Sequence, residues 1–139
     1  MNNGRYWTLM DHGRADIMIR SGLWRVILKR GWVPVVSAGQ IRFRREMKLF
    51  QPFTLETRIL TWSDGHVVME HRLLSKARDG SPVLNAIALV RAGIYDRREK
   101  RFIPMSRLLK EIGLQAEAPQ ASPEVEAFLR AEETLKSAA

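Results

Sequence analysis

Few side chains in this sequence are of the types that most often carry enzyme chemistry. It contains no cysteine, so thiolate nucleophiles, cysteine-ligated zinc and disulfide bonds are excluded. The three histidines, His12, His66 and His71, fall on a predicted helix, a turn exit and a strand, and this scatter argues against a histidine metal site. His71 lies on the apolar face of its strand, where a core histidine with a satisfied hydrogen bond is the favoured interpretation.

The sequence motifs of several common enzyme classes are missing. There is no G-x-G-x-x-G dinucleotide loop, no P-loop, no G-x-S-x-G nucleophile elbow and no H-E-x-x-H zinc motif. We therefore expect neither a bound metal nor a resident cofactor.

Positive charge is the clearest compositional signal. The 139 residues carry 23 Lys and Arg against 15 Asp and Glu, a formal net charge of +8, which favours an anionic partner. The basic residues form three groups, which are Arg25, Lys29 and Arg30; Arg42, Arg44, Arg45 and Lys48; and Arg97, Arg98, Lys100 and Arg101. No aromatic run that could stack on bases accompanies them, so nucleic acid is not expected as a partner. Solvated surface charge explains each group, and a phosphate-rich small molecule is the alternative for one of them.

A helix is the first element that could position these groups. Asn2 or Asn3 can cap a helix that begins near Gly4, and the apolar residues that follow recur at helical spacing. Gly13 falls on the same stripe and predicts that the helix lies close against another element. A short basic helix is predicted over residues 23–30.

An antiparallel meander is predicted to follow the helices. The hydrophobic period changes to two, and the strand patterns run over residues 32–36, 40–49, 53–62, 67–75 and 83–95. Pro34 predicts an edge strand or a bulge, and Ser63-Asp64-Gly65 predicts a hairpin. The last strand is apolar on both faces, which is typical of a central strand covered on both sides.

The chain ends in a small helical region. A short helix is predicted over residues 105–112, and Ser122-Pro123-Glu124 predicts the start of a last helix. The order of elements indicates an α+β fold in which a helix packs on one face of the sheet. We expect one domain over residues 1–103 and a helical extension over 104–139. No stretch resembles a signal peptide or a membrane span, so we expect a cytoplasmic protein.

Several segments carry a resemblance to a known family. Residues 1–6, Met-Asn-Asn-Gly-Arg-Tyr, and the Leu-Met-Asp that follows at 9–11 resemble the H-M-N-N-x-R-Y segment of hot-dog-fold thioesterases. The ordered segments 41–46, 57–64 and 69–72 are similar to one subgroup of the 4-hydroxybenzoyl-CoA thioesterase branch, the thioesterase superfamily member 6-like proteins. The resemblance extends from residue 1 to about residue 95.

The resemblance implies a fold, an activity and a partner. In a hot-dog fold an antiparallel sheet wraps a long central helix, and family members are homodimers that bind acyl-CoA thioesters at the subunit interface. A tetramer is the alternative assembly. The helix N-terminus polarises the thioester carbonyl in these hydrolases, here through backbone N–H groups of Asn3, Gly4 or Arg5. Coenzyme A would enter as part of the substrate, with basic side chains on its phosphates.

The sequence departs from the family pattern at its start. The family carries a first strand and an acidic segment before the Met-Asn-Asn, so a hot-dog fold lacking its first strand is expected here. The remaining candidate for the catalytic carboxylate is then Asp11, acting with Asn3 and Gly4, because another hot-dog branch carries its acid on this helix. An acid upstream of Met1 is the alternative base, and pairing with Arg14 or with a partner subunit is the alternative role of Asp11. The expected substrate-binding residues are Asn2, Tyr6, Arg42, Arg44 and His71. A non-catalytic acyl-ligand-binding or scaffold protein is the alternative function.

Overall fold

The computed structural model describes residues 3–48 and 50–138 of the chain. Along these residues the elements are α1 (Asn3–Ser21), α2 (Leu23–Arg30), β1 (Val33–Phe43), β2 (Thr54–Ser63), β3 (His66–Lys76), β4 (Pro82–Asp96), β5 (Arg101–Phe102), α3 (Met105–Glu111) and α4 (Pro123–Ala138). Helix α1 begins close to the predicted start near Gly4, whereas the proposed cap Asn2 lies outside the described residues. None of the described helices is long and apolar enough to cross a membrane.

The strands form one antiparallel sheet in the order β1-β4-β3-β2, with β5 beside the end of β4. The predicted central position of the doubly apolar strand is confirmed, because the 15-residue β4 lies between β1 and β3. Pro34 lies in the edge strand β1, as predicted, and the register of β1 shifts between Val36 and Ala38. The two-residue β5 begins at the end of the third basic group and pairs with Tyr95 and Asp96 of β4.

The predicted alternation over residues 40–49 is wrong over residues 44–48, which follow the end of β1 at Phe43, and Leu49 lies outside the described residues. Strand β1 ends at Phe43 because the backbone N–H groups of Arg44 and Arg45 donate to the carbonyl of Asn85, at 2.8 and 3.1 Å. Met47 is nevertheless 1% exposed and reaches the core from an irregular segment. Its apolar character therefore reflects burial rather than strand geometry.

Helix α1 packs directly on the sheet through Gly13. Gly13 is buried, and a Cβ atom built on it would overlap the hydroxyl of Thr57 in β2 and lie 3.2 Å from a methyl carbon of Leu55. The N-terminal half of α1 places Tyr6 and Met10 in one apolar cluster with side chains of β3 and β4. The close approach that the sequence predicted at Gly13 is confirmed, with β2 as the contacted element.

The C-terminal helices cover the other parts of the sheet. Val125 and Phe128 of α4 are buried against Val68, which points to the sheet face opposite α1. The predicted start of this helix is confirmed, and the backbone N–H of Val125 donates to the Ser122 hydroxyl at 3.4 Å. Helix α3 packs beside α2 in a separate apolar cluster. Both faces of the central strands are therefore covered within this chain.

The contact at Gly13 generates a stability prediction. We expect Gly13→Ala to lower the free energy of unfolding by about 2 kcal/mol, because overpacking outweighs the gain in helix propensity of about 1 kcal/mol. The loss should be smaller in a Thr57→Ala background, where the overlapping hydroxyl is gone. Urea unfolding of the four proteins of this double-mutant cycle measures both values. Equal losses in the two backgrounds would contradict a direct contact between Gly13 and Thr57.

Candidate active site

A cavity of about 410 Å³ lies between the second half of α1, the sheet and α3. Its walls are mainly aliphatic side chains from several elements, among them Ile17 of α1, Val35 of β1 and Leu109 of α3. Asp11 and Arg14 of α1 line the same cavity and bring charge to it. A mostly apolar pocket with a few polar groups is the usual form of a small-molecule site.

Asp11 and Arg14 form an ion pair one helical turn apart. The Asp11 carboxylate contacts the Arg14 guanidinium, and the side chains are 68% and 11% exposed, respectively. Burial lowers the pKa of Arg14 below its ordinary value, although an arginine remains charged at neutral pH. Asp11, which was predicted to be the catalytic carboxylate, is therefore largely exposed to solvent, whereas the guanidinium of Arg14 is largely buried. The alternative role considered for Asp11, pairing with Arg14, is present.

His71 connects this ion pair to the sheet. Its ring is 0% exposed, with Nε2 at 3.0 Å from Nη1 of Arg14 and Nδ1 at 2.9 Å from the hydroxyl of Thr57. A guanidinium can only donate, so Nε2 must be the acceptor and the proton sits on Nδ1, which donates to Thr57. Burial first, and then the charge of Arg14, lower the pKa of His71 to about 4, against an opposing effect of Glu70. The ring is therefore neutral at pH 7.

The remaining predicted residues lie towards the other end of α1. Tyr6 is 3% exposed and packs edge-to-face on Phe43, with ring centroids 5.0 Å apart. Arg42 and Arg44 flank Phe43 in sequence and are exposed. Gly4 lies in the first turn of α1. Tyr6, Arg42, Arg44 and Gly4 do not line the cavity.

Asn3 and Asp11 are separated along a single helix. Asn3 is the first helical residue of α1, and eight residues at about 1.5 Å rise place it about 12 Å from Asp11 along the axis. Asn2 lies outside the described residues. The predicted site is thus divided into two groups: Asp11 linked through Arg14 to His71, and the helix start with the residues near Phe43. One chain does not bring these groups together.

The residues that complete the cavity were not predicted from the sequence. Helix α3 and the residues after it supply much of one wall, including Leu109 and Ile112, and His66 lines the cavity from the start of β3. The apolar spacing of α3 was visible in the sequence, but its partner surface was not. Within the described part of the chain, no group of three or more His, Asp and Glu side chains is placed to hold a metal ion.

The His71 network generates a prediction about pH. The folded-state pKa near 4 lies below the value of about 6.5 expected after unfolding. The unfolded state therefore binds a proton more readily than the folded state. The contribution of the neutral His71 to the free energy of unfolding is fully present above about pH 6.5 and is lost as pH falls towards 4. The loss amounts to roughly 3 kcal/mol.

His71→Gln should flatten this pH dependence, because an amide can accept from Arg14 and donate to Thr57 but does not titrate. Urea unfolding across this pH range measures the slope, and the exposed His12→Gln serves as the matched control. A slope as steep in His71→Gln as in the wild type would contradict the assignment to His71.

Comparison with known proteins places these features in a family. Residues 1–129 match the family description "Thioesterase-like superfamily". Protein THEM6 of Drosophila melanogaster is 26% identical over 131 residues, which are 94% of this chain and 63% of that protein. Protein THEM6 of Danio rerio is 35% identical over 94 residues, 68% of this chain and 45% of that protein. The chain thus spans less than two thirds of the length of these relatives.

Solved structures support the same assignment at the level of the fold. A mutant of 4-hydroxybenzoyl-CoA thioesterase complexed with 4-hydroxybenzoyl-CoA superposes with a TM-score of 0.71 at 19% identity, over 81% of this chain and 84% of that one. At this identity the likeness concerns the fold alone, and it agrees with the helix and antiparallel sheet described above. The chain belongs to the thioesterase-like superfamily and has the hot-dog fold that the sequence predicted.

Proposed function

We propose that this chain hydrolyses acyl-CoA-type thioesters. The observation that carries the proposal is the apolar cavity whose α1 wall presents the paired charges of Asp11 and Arg14. An acyl group can be buried among the aliphatic side chains while its thioester carbonyl lies at these charges. Membership of the thioesterase-like superfamily and the likeness to a thioesterase that holds a CoA thioester support this choice.

The chemistry assigned to the site is general-base hydrolysis. The Asp11 carboxylate accepts a proton from a water molecule, whose oxygen attacks the thioester carbonyl carbon. The carbon–sulfur bond of the tetrahedral intermediate then breaks, and the departing thiolate of coenzyme A takes up the proton held by Asp11, which regenerates the carboxylate. Arg14 has N–H donors beyond those used by Asp11 and His71. These can stabilise the negative charge on the intermediate's oxygen.

A second copy of the chain would complete the site. The N–H groups at the start of α1 and the carboxylate of Asp11 lie about 12 Å apart on one helix, too far to act on one carbonyl. In a homodimer with the site at the interface, the helix start of one copy can meet Asp11 of the other. The backbone N–H groups and the dipole at that helix end then stabilise the oxyanion.

The same arrangement gives the basic residues near Phe43 a role. Arg42 and Arg44 are exposed and flank Phe43, which contacts Tyr6 in the second turn of α1. They therefore accompany the helix start to the proposed interface. Guanidinium groups bind phosphate oxygens through paired, charge-assisted hydrogen bonds, so we assign the phosphates of coenzyme A to this pair.

A non-catalytic acyl-ligand-binding protein is the second candidate. The observation that favours it is the direct contact between the Asp11 carboxylate and the Arg14 guanidinium. A neighbouring cation stabilises the ionised carboxylate and weakens it as a base. Such a protein would hold acyl-CoA in the same cavity without turning it over.

Replacing the proposed base tests the first candidate against the second. We expect the wild-type chain to release thiol from a panel of acyl-CoA substrates, and Asp11→Asn to lower kcat by about 100-fold or more, since the amide cannot accept the proton. The matched control is Asp16→Asn. Asp16 is also an α1 carboxylate paired with an arginine, Arg20, but it does not line the cavity.

Asp16→Asn should leave kcat within about twofold of wild type. Saturable acyl-CoA binding without thiol release by the wild type would reject hydrolysis in favour of the second candidate. Turnover that survives in Asp11→Asn would reject Asp11 as the base. Sedimentation of the active species should give the mass of two chains.

Replacing the basic pair tests the assignment of the CoA phosphates. We expect Arg42→Gln combined with Arg44→Gln to raise KM for an acyl-CoA by about tenfold or more, because charge-assisted hydrogen bonds to phosphate are lost. KM for the matching acyl-N-acetylcysteamine, which lacks the phosphates, should not change. Arg97→Gln, on the exposed turn before β5, is the control. An equal rise in KM for both substrates would contradict phosphate binding by this pair.

A further inference from the structure

We propose that the cavity binds a flexible aliphatic acyl chain, and that α3 sets the longest chain it admits. The inference rests on the proposed function in taking the ligand to be an acyl group. It adds the class of acyl group and the element that selects it, neither of which follows from the charged residues.

The chemistry of the walls favours an aliphatic chain. The cavity is lined by aliphatic side chains and by Met18, Met69 and Met105, and its lining in the described residues includes no Phe, Tyr or Trp. An aromatic acyl group would find only the imidazole of His66 as a ring to stack on. Methionine side chains are unbranched and adapt to irregular shapes, so such walls can follow a chain that takes several conformations.

The size of the cavity leads to the same choice. It measures about 410 Å³, whereas an apolar cavity of about 150 Å³ already accommodates benzene. A single aromatic ring would leave most of the space empty and forfeit contacts with the walls. At about 30 Å³ for a group the size of a water molecule, the cavity holds about a dozen methylene groups.

The direction of the chain follows from α1. Asp11 lines the cavity near the middle of α1, and Ser21 lines it at the C-terminal end. Ten residues of helix separate them by about 15 Å. A carbonyl at Asp11 therefore directs the acyl tail towards Ser21 and Leu23. Leu23 packs against the apolar cluster that holds α3, so the tail ends at α3.

Helix α3 ends in a turn that fixes this wall. Gly113 has φ of +75°, its N–H donates to the carbonyl of Lys110 at 3.1 Å, and the N–H of Leu114 donates to that of Leu109 at 2.9 Å. This pair of bonds is a Schellman motif, which commonly brings the two flanking apolar residues together. Leu109 and Leu114 both line the cavity. Leu108, which is 4% exposed, anchors α3 by packing in the apolar cluster that also contains Ile27 and Ile103.

Fatty-acid binding tests the inference without requiring hydrolysis. Displacement of a fluorescent fatty-acid analogue is measured with butanoate, octanoate, dodecanoate, hexadecanoate and benzoate. We expect affinity to rise about three- to fourfold per methylene and to level off near dodecanoate, with benzoate far weaker. Benzoate binding as tightly as dodecanoate, or affinity independent of chain length, would overturn the inference.

Variants of Leu109 test the role of α3. We call the chain length at which affinity stops rising the levelling point. Leu109→Trp should move it to shorter chains by filling the end of the cavity, and Leu109→Ala should move it to longer chains. The control is Leu135→Trp in α4, where the leucine is 68% exposed and does not line the cavity. Circular dichroism checks folding, and Leu109→Ala carries the test if the tryptophan variant does not fold.

The two proposals fail in different ways. A levelling point that stays in place in both Leu109 variants, or that moves equally in Leu135→Trp, overturns the role of α3. Chain-length-dependent binding without thioester hydrolysis by the wild type supports this inference and rejects the proposed hydrolysis. Hydrolysis of aromatic thioesters in preference to aliphatic ones rejects the inference and leaves the proposed hydrolysis standing.

Discussion

The close contact between α1 and β2 at Gly13 is the constraint on which the rest of the structure depends. Because Gly13 has no side chain, the helix rests directly on Thr57. The next residue, Arg14, is thereby brought to 3.0 Å from the buried ring of His71, whose other nitrogen is held by Thr57. A helix standing farther out would leave a buried imidazole without its partner, at a cost of about 1–3 kcal/mol. Packing of the core and placement of the Asp11–Arg14 pair therefore have one physical origin.

The cavity exists because the two halves of α1 pack differently. The N-terminal half fills its space with Tyr6 and Met10 in a closed apolar cluster. The C-terminal half faces a space that α3 borders without filling, and its side chains line the cavity instead. The segment predicted as an extension thus contributes to the site through α3, and α4 covers the opposite sheet face through Val125 and Phe128. Truncation before α3 would expose apolar surface on both sides of the sheet.

The positive charge held inside the candidate site, that of Arg14, is balanced by the carboxylate of Asp11. The chain carries a net charge of +8, but the cation nearest the core, Arg14, lies between a carboxylate and a neutral imidazole. The neutral state of His71 is a consequence of that cation and of burial, which both oppose protonation. The unbalanced positive charge stays on exposed segments such as Arg42 and Arg44, where water screens it and where an anionic ligand can reach it.

The sequence by itself determined the helices, most of the strands, the central place of β4 and the close approach at Gly13, because periodicity, caps and turns are local signals. It also offered the Asp11–Arg14 pair, since residues three apart share a helix face. Only the tertiary structure decided that His71, 57 residues from Arg14 in the chain, holds that arginine, that Asn85 ends β1, and that α3 closes the cavity. Each of these depends on which distant surfaces meet, and hydrophobic patterning specifies that a face is buried without specifying its partner.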